Sequence, residues 1–172
     1  MRGLITRGDL SIMHRANNWV APRWVRYYVL GATRGGDGWL WYAMGLAILI
    51  FGGDERFAAL GAAGLSSVLS ILLFLWLKQW TGRKRPCHIE PHCWAKLLPP
   101  DQFSFPSGHT MTAFAVAVPL SMFYPELFIG LTFCALSIAA SRILLGMHFL
   151  SDVIAGAMIG TGLGFLGFLA FQ

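Results

Sequence analysis

Arg142, His148 and Asp152 stand together in the stretch SRILLGMHFLSD, between two long apolar runs. Hydrocarbon solvates charge poorly, so ionisable groups at the edge of such runs call for a chemical reason. His148 and Asp152 are four residues apart and share one face of a helix. On that face the carboxylate can accept from one ring nitrogen, which fixes the tautomer and leaves the other nitrogen free to attack. Gly146 permits a turn that brings Arg142 back beside them. The competing structural account has Asp152 satisfying its own helix N-terminus and His148 resting at an interface.

Two further segments add to this chemistry. In FPSGHTMTAF, Pro106 and Ser107 precede a helical stretch, and Ser107 is a good N-cap. Gly108 exposes backbone, the first N–H groups of such a helix are unpaired and suit an anion, and His109 lies in the first turn. In KQWTGRKRP, four cations (Lys78, Arg83, Lys84 and Arg85) follow an apolar run. Each segment alone has an ordinary explanation, as a capped helix or a basic helix end at a membrane surface. Taken together they supply cations for several oxygens, directed N–H donors, an oriented nucleophile in His148 and a proton donor in His109. A tetrahedral phosphate asks for that inventory, because phosphoryl transfer is mostly positioning and charge neutralisation with attacker and leaving group in line.

The elements that must position these residues are membrane helices. The chain has 172 residues, 56% hydrophobic and 12% charged, against about 25% charged in soluble domains. Runs 57–77 and 153–172 have the length a span needs; 103–125, 127–141 and 38–53 are further spans, the last marked by Trp39, Trp41 and Tyr42. Leu10 to Leu30 mixes Trp19, Trp24, Tyr27 and Tyr28 with Arg15, Arg23 and Arg26, which suits a helix lying in the headgroup layer; a sixth crossing is the alternative. The N-terminus has no clean apolar core before Arg15 and reads poorly as a signal peptide. The expected architecture is all-α: an integral membrane six-helix bundle in one domain, 1–172. Its helices fall near 10–32, 39–53, 56–80, 107–123, 126–144 and 148–171, with a turn at TRGGDG (33–38) and one sizeable loop at 81–106. Because helices alternate direction, the ends at 38, 78, 107, 142 and 148 collect on one side of the bundle.

The formal charge is +5, from 13 basic and 8 acidic residues. The basic residues cluster near helix ends, which suits anionic lipid headgroups. No nucleic-acid motif is present, so the expected partners are a lipid bilayer and a lipid phosphate, with no nucleic acid and no obligate protein partner. Cys134 is a small core residue. Cys87 and Cys93 flank HIEPH; a disulfide, free thiols and a zinc site with His88 and His92 all stay open, although the spacing fits no usual zinc pattern.

The three segments read Lys78-x6-Arg85-Pro86, Pro106-Ser107-Gly108-His109 and Ser141-Arg142-x5-His148-x3-Asp152. In order and spacing this resembles the signature of the type 2 phosphatidic acid phosphatase (PAP2) superfamily. The resemblance implies a metal-independent membrane lipid phosphatase, without cofactor, in which His148 becomes phosphorylated. Asp152 would orient His148, and His109 would protonate the leaving oxygen and then activate water. Lys78, Arg85, Ser107, Gly108 and Arg142 would hold the phosphate, while Arg83 and Lys84, outside the signature, would touch headgroups or the interface. Candidate substrates are phosphatidic acid, phosphatidylglycerol phosphate, undecaprenyl pyrophosphate and a lipid A phosphate. A catalytically silent lipid-phosphate-binding protein or transporter is the alternative, disfavoured by the intact His109, His148 and Asp152. The resemblance implies a site on the periplasmic face of the bacterial inner membrane; the positive-inside rule leans the other way for the cations at 78–96, several of which have a phosphate-binding reason to be there.

Overall fold

The structure, a computed structural model, describes residues 6–90 and 102–172. Seven α-helices are present among them: α1 (Arg7–Asn18), α2 (Arg23–Arg34), α3 (Leu40–Phe51), α4 (Arg56–Thr81), α5 (Gly108–Phe123), α6 (Phe128–Leu144) and α7 (Leu150–Phe171). The expected helical bundle is present, with its first helix divided in two. The cause is Pro22, which lacks the N–H a continuous helix needs and disfavours helical geometry at Ala21. α1 is closed by a capping box: Asp9 N–H donates to Thr6 Oγ1 and Thr6 N–H donates to the Asp9 carboxylate, both at 3.1 Å. Each of α1 and α2 has 12 residues, about 18 Å of helix, which is short of the roughly 30 Å hydrocarbon layer. Each alone is shorter than a span, as the interfacial alternative expects of a helix in the headgroup layer.

TRGGDG is not an open turn. Its chain winds on from α2 to α3 through a π-type segment, Gly35–Trp39, kinked at Gly38 where φ is 119°. That left-handed value is open to glycine and strained for a side chain. α4, α6 and α7, with the short turns preceding α4 and α6, are long and apolar enough to cross a membrane, and α5 is a shorter apolar helix. Their outward faces carry exposed Val68, Leu72, Ile129, Phe133, Met158 and Leu166, a surface that water would not tolerate and lipid does. The chain is a multi-pass membrane protein. Exposed Trp24, Tyr27, Trp39, Tyr42, Trp76 and Trp80 lie on α2, at the start of α3 and at the end of α4, as an interfacial aromatic belt does.

Toward the site, α5 packs on α7 by close approach of the backbones. Gly156, Gly160 and Gly164 form one stripe of α7. A Cβ at Gly160 would stand 2.2 Å from the Met111 carbonyl oxygen, and one at Gly156 would stand 2.8 Å from that of Ser107. Small residues at this spacing let two membrane helices approach closely. Ser66 of α4 closes the other side, donating to the carbonyls of Ala62 and Leu163 at 2.8 and 3.1 Å. The core above the stripe is small and apolar: Ala59, Ala113, Val116, Leu120, Leu131, Ala135 and Ile138. On the site side, Val25 and Val29 of α2 pack with Leu145 and Met147, so α2 buttresses the loop that carries His148.

Gly160→Leu is expected to force α5 and α7 apart, at a cost of about 1–3 kcal/mol for overpacking. Gly162→Leu, where a Cβ meets nothing within 4 Å, serves as the control. Thermal unfolding in detergent should show a lowered Tm for the first and an unchanged Tm for the second.

Candidate active site

One cavity of about 490 Å³ opens where the helix ends meet, lined by Asp37, Lys78, Arg85, Gly108, His109, Arg142 and His148 among others. All three sequence segments reach it, as the alternation of helices requires. Lys78 arrives from the last turns of α4, and its ammonium lies 4.8 Å from the centre of the Phe74 ring. Gly82, at φ 58°, ends α4 with a left-handed residue and turns the chain back across the site. Residues 83–85 then pair with 102–104: Ser104 N–H donates to Arg83 O at 2.7 Å and Arg85 N–H to Gln102 O at 3.2 Å.

That short pairing decides the geometry of His148. Its Nδ1 lies 2.6 Å from the Ser104 carbonyl oxygen, and a carbonyl only accepts, so Nδ1 carries the proton. Nε2 therefore presents a lone pair, toward which Arg85 Nη1 donates at 3.2 Å. The same Arg85 nitrogen donates to Met147 O at 3.0 Å. Gly146, at φ 64°, makes the expected turn, and the Met147 and His148 N–H groups both return to Arg142 O. Burial pushes the His148 imidazole down to about 4, with Arg142 and Arg85 adding to the fall against the opposing pull of Asp152. A neutral ring with its protonated nitrogen tied back is the nucleophilic form.

Asp152 does not make the expected hydrogen bond to His148. Its Oδ2 stands 3.8 Å from Nδ1, because the Ser104 carbonyl already holds that proton. Oδ2 instead accepts the Phe149 N–H at 2.8 Å, capping α7, and Oδ1 receives Arg83 Nη1 at 2.6 Å. Both structural and electrostatic roles thus fall on one carboxylate. Arg83, expected at the headgroups, is instead 5% exposed. It bridges Asp152 to Asp9, which accepts from Nη2 at 2.9 Å, and its guanidinium stacks 4.5 Å from the centre of the Phe149 ring. Asp9 also accepts from the Ser151 N–H at 3.0 Å and the Ser151 hydroxyl at 2.8 Å. One carboxylate of α1 thereby caps two helices.

Ser107 departs from expectation as well. It precedes α5 but makes no side-chain cap; it is fully buried and its hydroxyl pairs with Thr110 Oγ1 at 2.9 Å, so it does not line the cavity. Its N–H donates to Asp152 O at 3.1 Å, joining α5 to α7. Gly108 does line the cavity, and a Cβ there would stand 3.0 Å from the Phe74 ring. Arg142 is buried and donates through Nη1 to Thr33 Oγ1 of α2. His109 Nε2 meets Asp37 Oδ1 at 2.7 Å. Sequence reasoning missed Asp9, Thr33, Asp37 and the Ser104 carbonyl. Asp9 precedes the expected first helix, Thr33 and Asp37 lie in the expected turn, and the fourth is backbone. A capping pattern at Thr6–Asp9 was the one local signal. No group of three or more His, Cys, Asp or Glu side chains suited to a metal is found among the described residues; His92 and Cys93, and with them the disulfide and zinc alternatives, lie outside those residues.

Arg83→Leu would strand two buried carboxylates. Losing one partner of such a pair costs about 3–5 kcal/mol, so the variant should unfold at distinctly lower temperature in detergent. Lys84→Leu, at an exposed position, should unfold like the unmodified chain. Equal and small effects at both positions would return Arg83 to the headgroup role.

Comparison with known proteins agrees with this geometry. The PAP2 superfamily profile matches residues 59–172. A lipid A 1-phosphatase of Rhizobium johnstonii is 32% identical over 108 residues, 60% of this chain and 44% of that protein. Phosphatidylglycerophosphatase B of Bacillus subtilis is 31% identical over 132 residues, 70% of this chain and 54% of that protein. The chain spans about half the length of the curated relatives it matches. Among solved structures, Aquifex aeolicus LpxE superposes with a TM-score of 0.77 at 28% identity, covering 92% of this chain and 93% of the other. The transmembrane PAP2-type phosphatidylglycerolphosphate phosphatase of Bacillus subtilis gives 0.72 at 26%, covering 96% and 85%. With all three signature segments at one cavity and a profile match over most of its length, the chain belongs to the PAP2 superfamily.

Proposed function

We propose that the protein is a membrane lipid phosphatase, working through a phosphohistidine on His148. The observation that carries this is a single cavity holding a neutral, oriented imidazole, a second imidazole and three cations. Lys78, Arg85 and Arg142 neutralise the phosphate oxygens, and the first N–H groups of α5, exposed by Gly108, add directed bonds. Ser107 joins this set if its hydroxyl leaves Thr110.

In the first step the His148 Nε2 lone pair attacks phosphorus, the bond to the lipid oxygen breaks and His109 gives that oxygen a proton. In the second, His109 takes a proton from water, hydroxide attacks phosphorus and the P–N bond breaks. Phosphate leaves, and His148 returns to its neutral form. Arg85, which faces Nε2 before substrate arrives, is placed to follow the phosphoryl group onto that nitrogen. Asp152 acts by fixing the start of α7 and by its charge near Nδ1, while the Ser104 carbonyl sets the tautomer.

The substrate class is a lipid phosphate or pyrophosphate: phosphatidic acid, phosphatidylglycerol phosphate, undecaprenyl pyrophosphate or a lipid A phosphate. Support comes from the aromatic belt at the site end and from the cavity's second half, where Trp41, Ile71, Phe74 and Val116 offer apolar walls beside the charged groups. Residues 1–172 act as one membrane domain, placed in a bacterial inner membrane with the site on the periplasmic face. The positive-inside rule counts loop charges near membrane ends. Arg83 and Arg85 are buried in the site and do not belong in that count.

Purified protein in detergent, with EDTA present, is expected to release phosphate from at least one member of a lipid phosphate panel. His148→Ala should abolish release, and a reaction quenched in alkaline detergent, where the P–N bond survives, should yield label on His148 in the unmodified chain. Binding without turnover on every lipid, or turnover with no covalent label, would reject the mechanism.

A further inference from the structure

His109 stands in an unfavourable place for a proton donor. Lys78 faces the cavity from α4, Arg85 and His148 from the loops and Arg142 from α6, and none of these favours another positive charge. Among the described residues lining the cavity, Asp37 is the single carboxylate, and its Oδ1 lies 2.7 Å from His109 Nε2. The backbone on both sides is fitted to that contact. A Cβ at Gly36 would stand 3.1 Å from His109 Cδ2 and 2.9 Å from Ile138 Cγ2. Gly38 takes the left-handed φ noted above, closing a π-type segment of the sort that recurs at functional sites. Asp37 lies outside the residues matched by the family profile.

We propose that Asp37 is a positioning residue for His109, fixing its ring and serving as the counter-charge of the imidazolium that protonates the leaving oxygen. The inference rests on the phosphohistidine reading above. Asp37 transfers no proton itself. It stays ionised while His109 gives a proton to the lipid oxygen and later recovers one from water. His148, held by the Ser104 carbonyl and beside Asp152, and His109, held by Asp37, are then two imidazole–acceptor pairs facing one phosphate.

The test is single-turnover phosphorylation of the full chain in detergent, with two substrates. One is the lipid phosphomonoester it turns over fastest, whose alkoxide-like leaving oxygen needs a proton. The other is 4-nitrophenyl phosphate, whose phenolate leaves without one. Asp37→Asn is expected to slow phosphorylation by the lipid about 10- to 100-fold and by the aryl phosphate less than about threefold, given what general-acid groups contribute. Asp37→Glu should retain most of the rate. In a His109→Ala background, Asp37→Asn should add nothing. The Asp37 side chain is 55% exposed, so the substitution is tolerated by the fold, and an unchanged Tm confirms it. Equal slowing on both substrates, or a further loss in the His109→Ala background, overturns the role of Asp37 while leaving the phosphohistidine reading intact. An unmodified chain that forms no phosphoenzyme with either substrate overturns that reading itself.

Discussion

A carboxylate without solvent is the constraint on which this site is built. Asp152 is wholly buried at the mouth of a membrane helix, where an unpaired charge is too costly to keep. Arg83 and the Phe149 N–H hold it, and the same guanidinium holds Asp9, so one cation serves two buried carboxylates. The chain of requirements runs from α7 through the loop after α4 to α1. An amphipathic surface helix thereby becomes part of the floor of the site. Break any member and the start of α7, which fixes the position of His148, loses its anchor.

The second requirement is closeness. His109 opens α5 and His148 precedes α7, so their separation is set by how near those helices run. Glycines on α7 remove the side chains between the two backbones, and the Ser107 N–H bonded to Asp152 O locks the register at the site end. Lipid supplies no hydrophobic drive for helix association, so tight backbone contact and a few hydrogen bonds have to do it.

Much of this was legible in the residues. Long apolar runs give the helices, alternation puts Lys78, Gly108, Arg142 and His148 on one side, and the spacing of the three segments gives the family. What escaped was whatever depends on the third dimension. His148 and Asp152 at i and i+4 predict a bond, yet a carbonyl from residue 104 takes the proton first. Arg83 and Arg85 are two residues apart and look alike, yet one lines the phosphate cavity and the other is sealed beneath it. Pro22 divides the first helix, although the aromatic and basic pattern runs across it. Asp9, Thr33 and Asp37 each grip a residue far along the chain, and no local pattern announces such a contact. The stripe Gly156, Gly160 and Gly164 has a regular four-residue spacing, but its purpose shows only against α5.

The claim on which the rest stands is that two imidazoles flank one phosphate-sized position. A structure of the protein with orthovanadate, which adopts the five-coordinate geometry of phosphorus under attack, tests it directly. The expected result is vanadium bonded to His148 Nε2, its equatorial oxygens on Lys78, Arg85 and Arg142, and His109 facing the apical oxygen on the opposite side. Vanadate bound away from His148, or bonded to His148 with His109 on the same side, would contradict it.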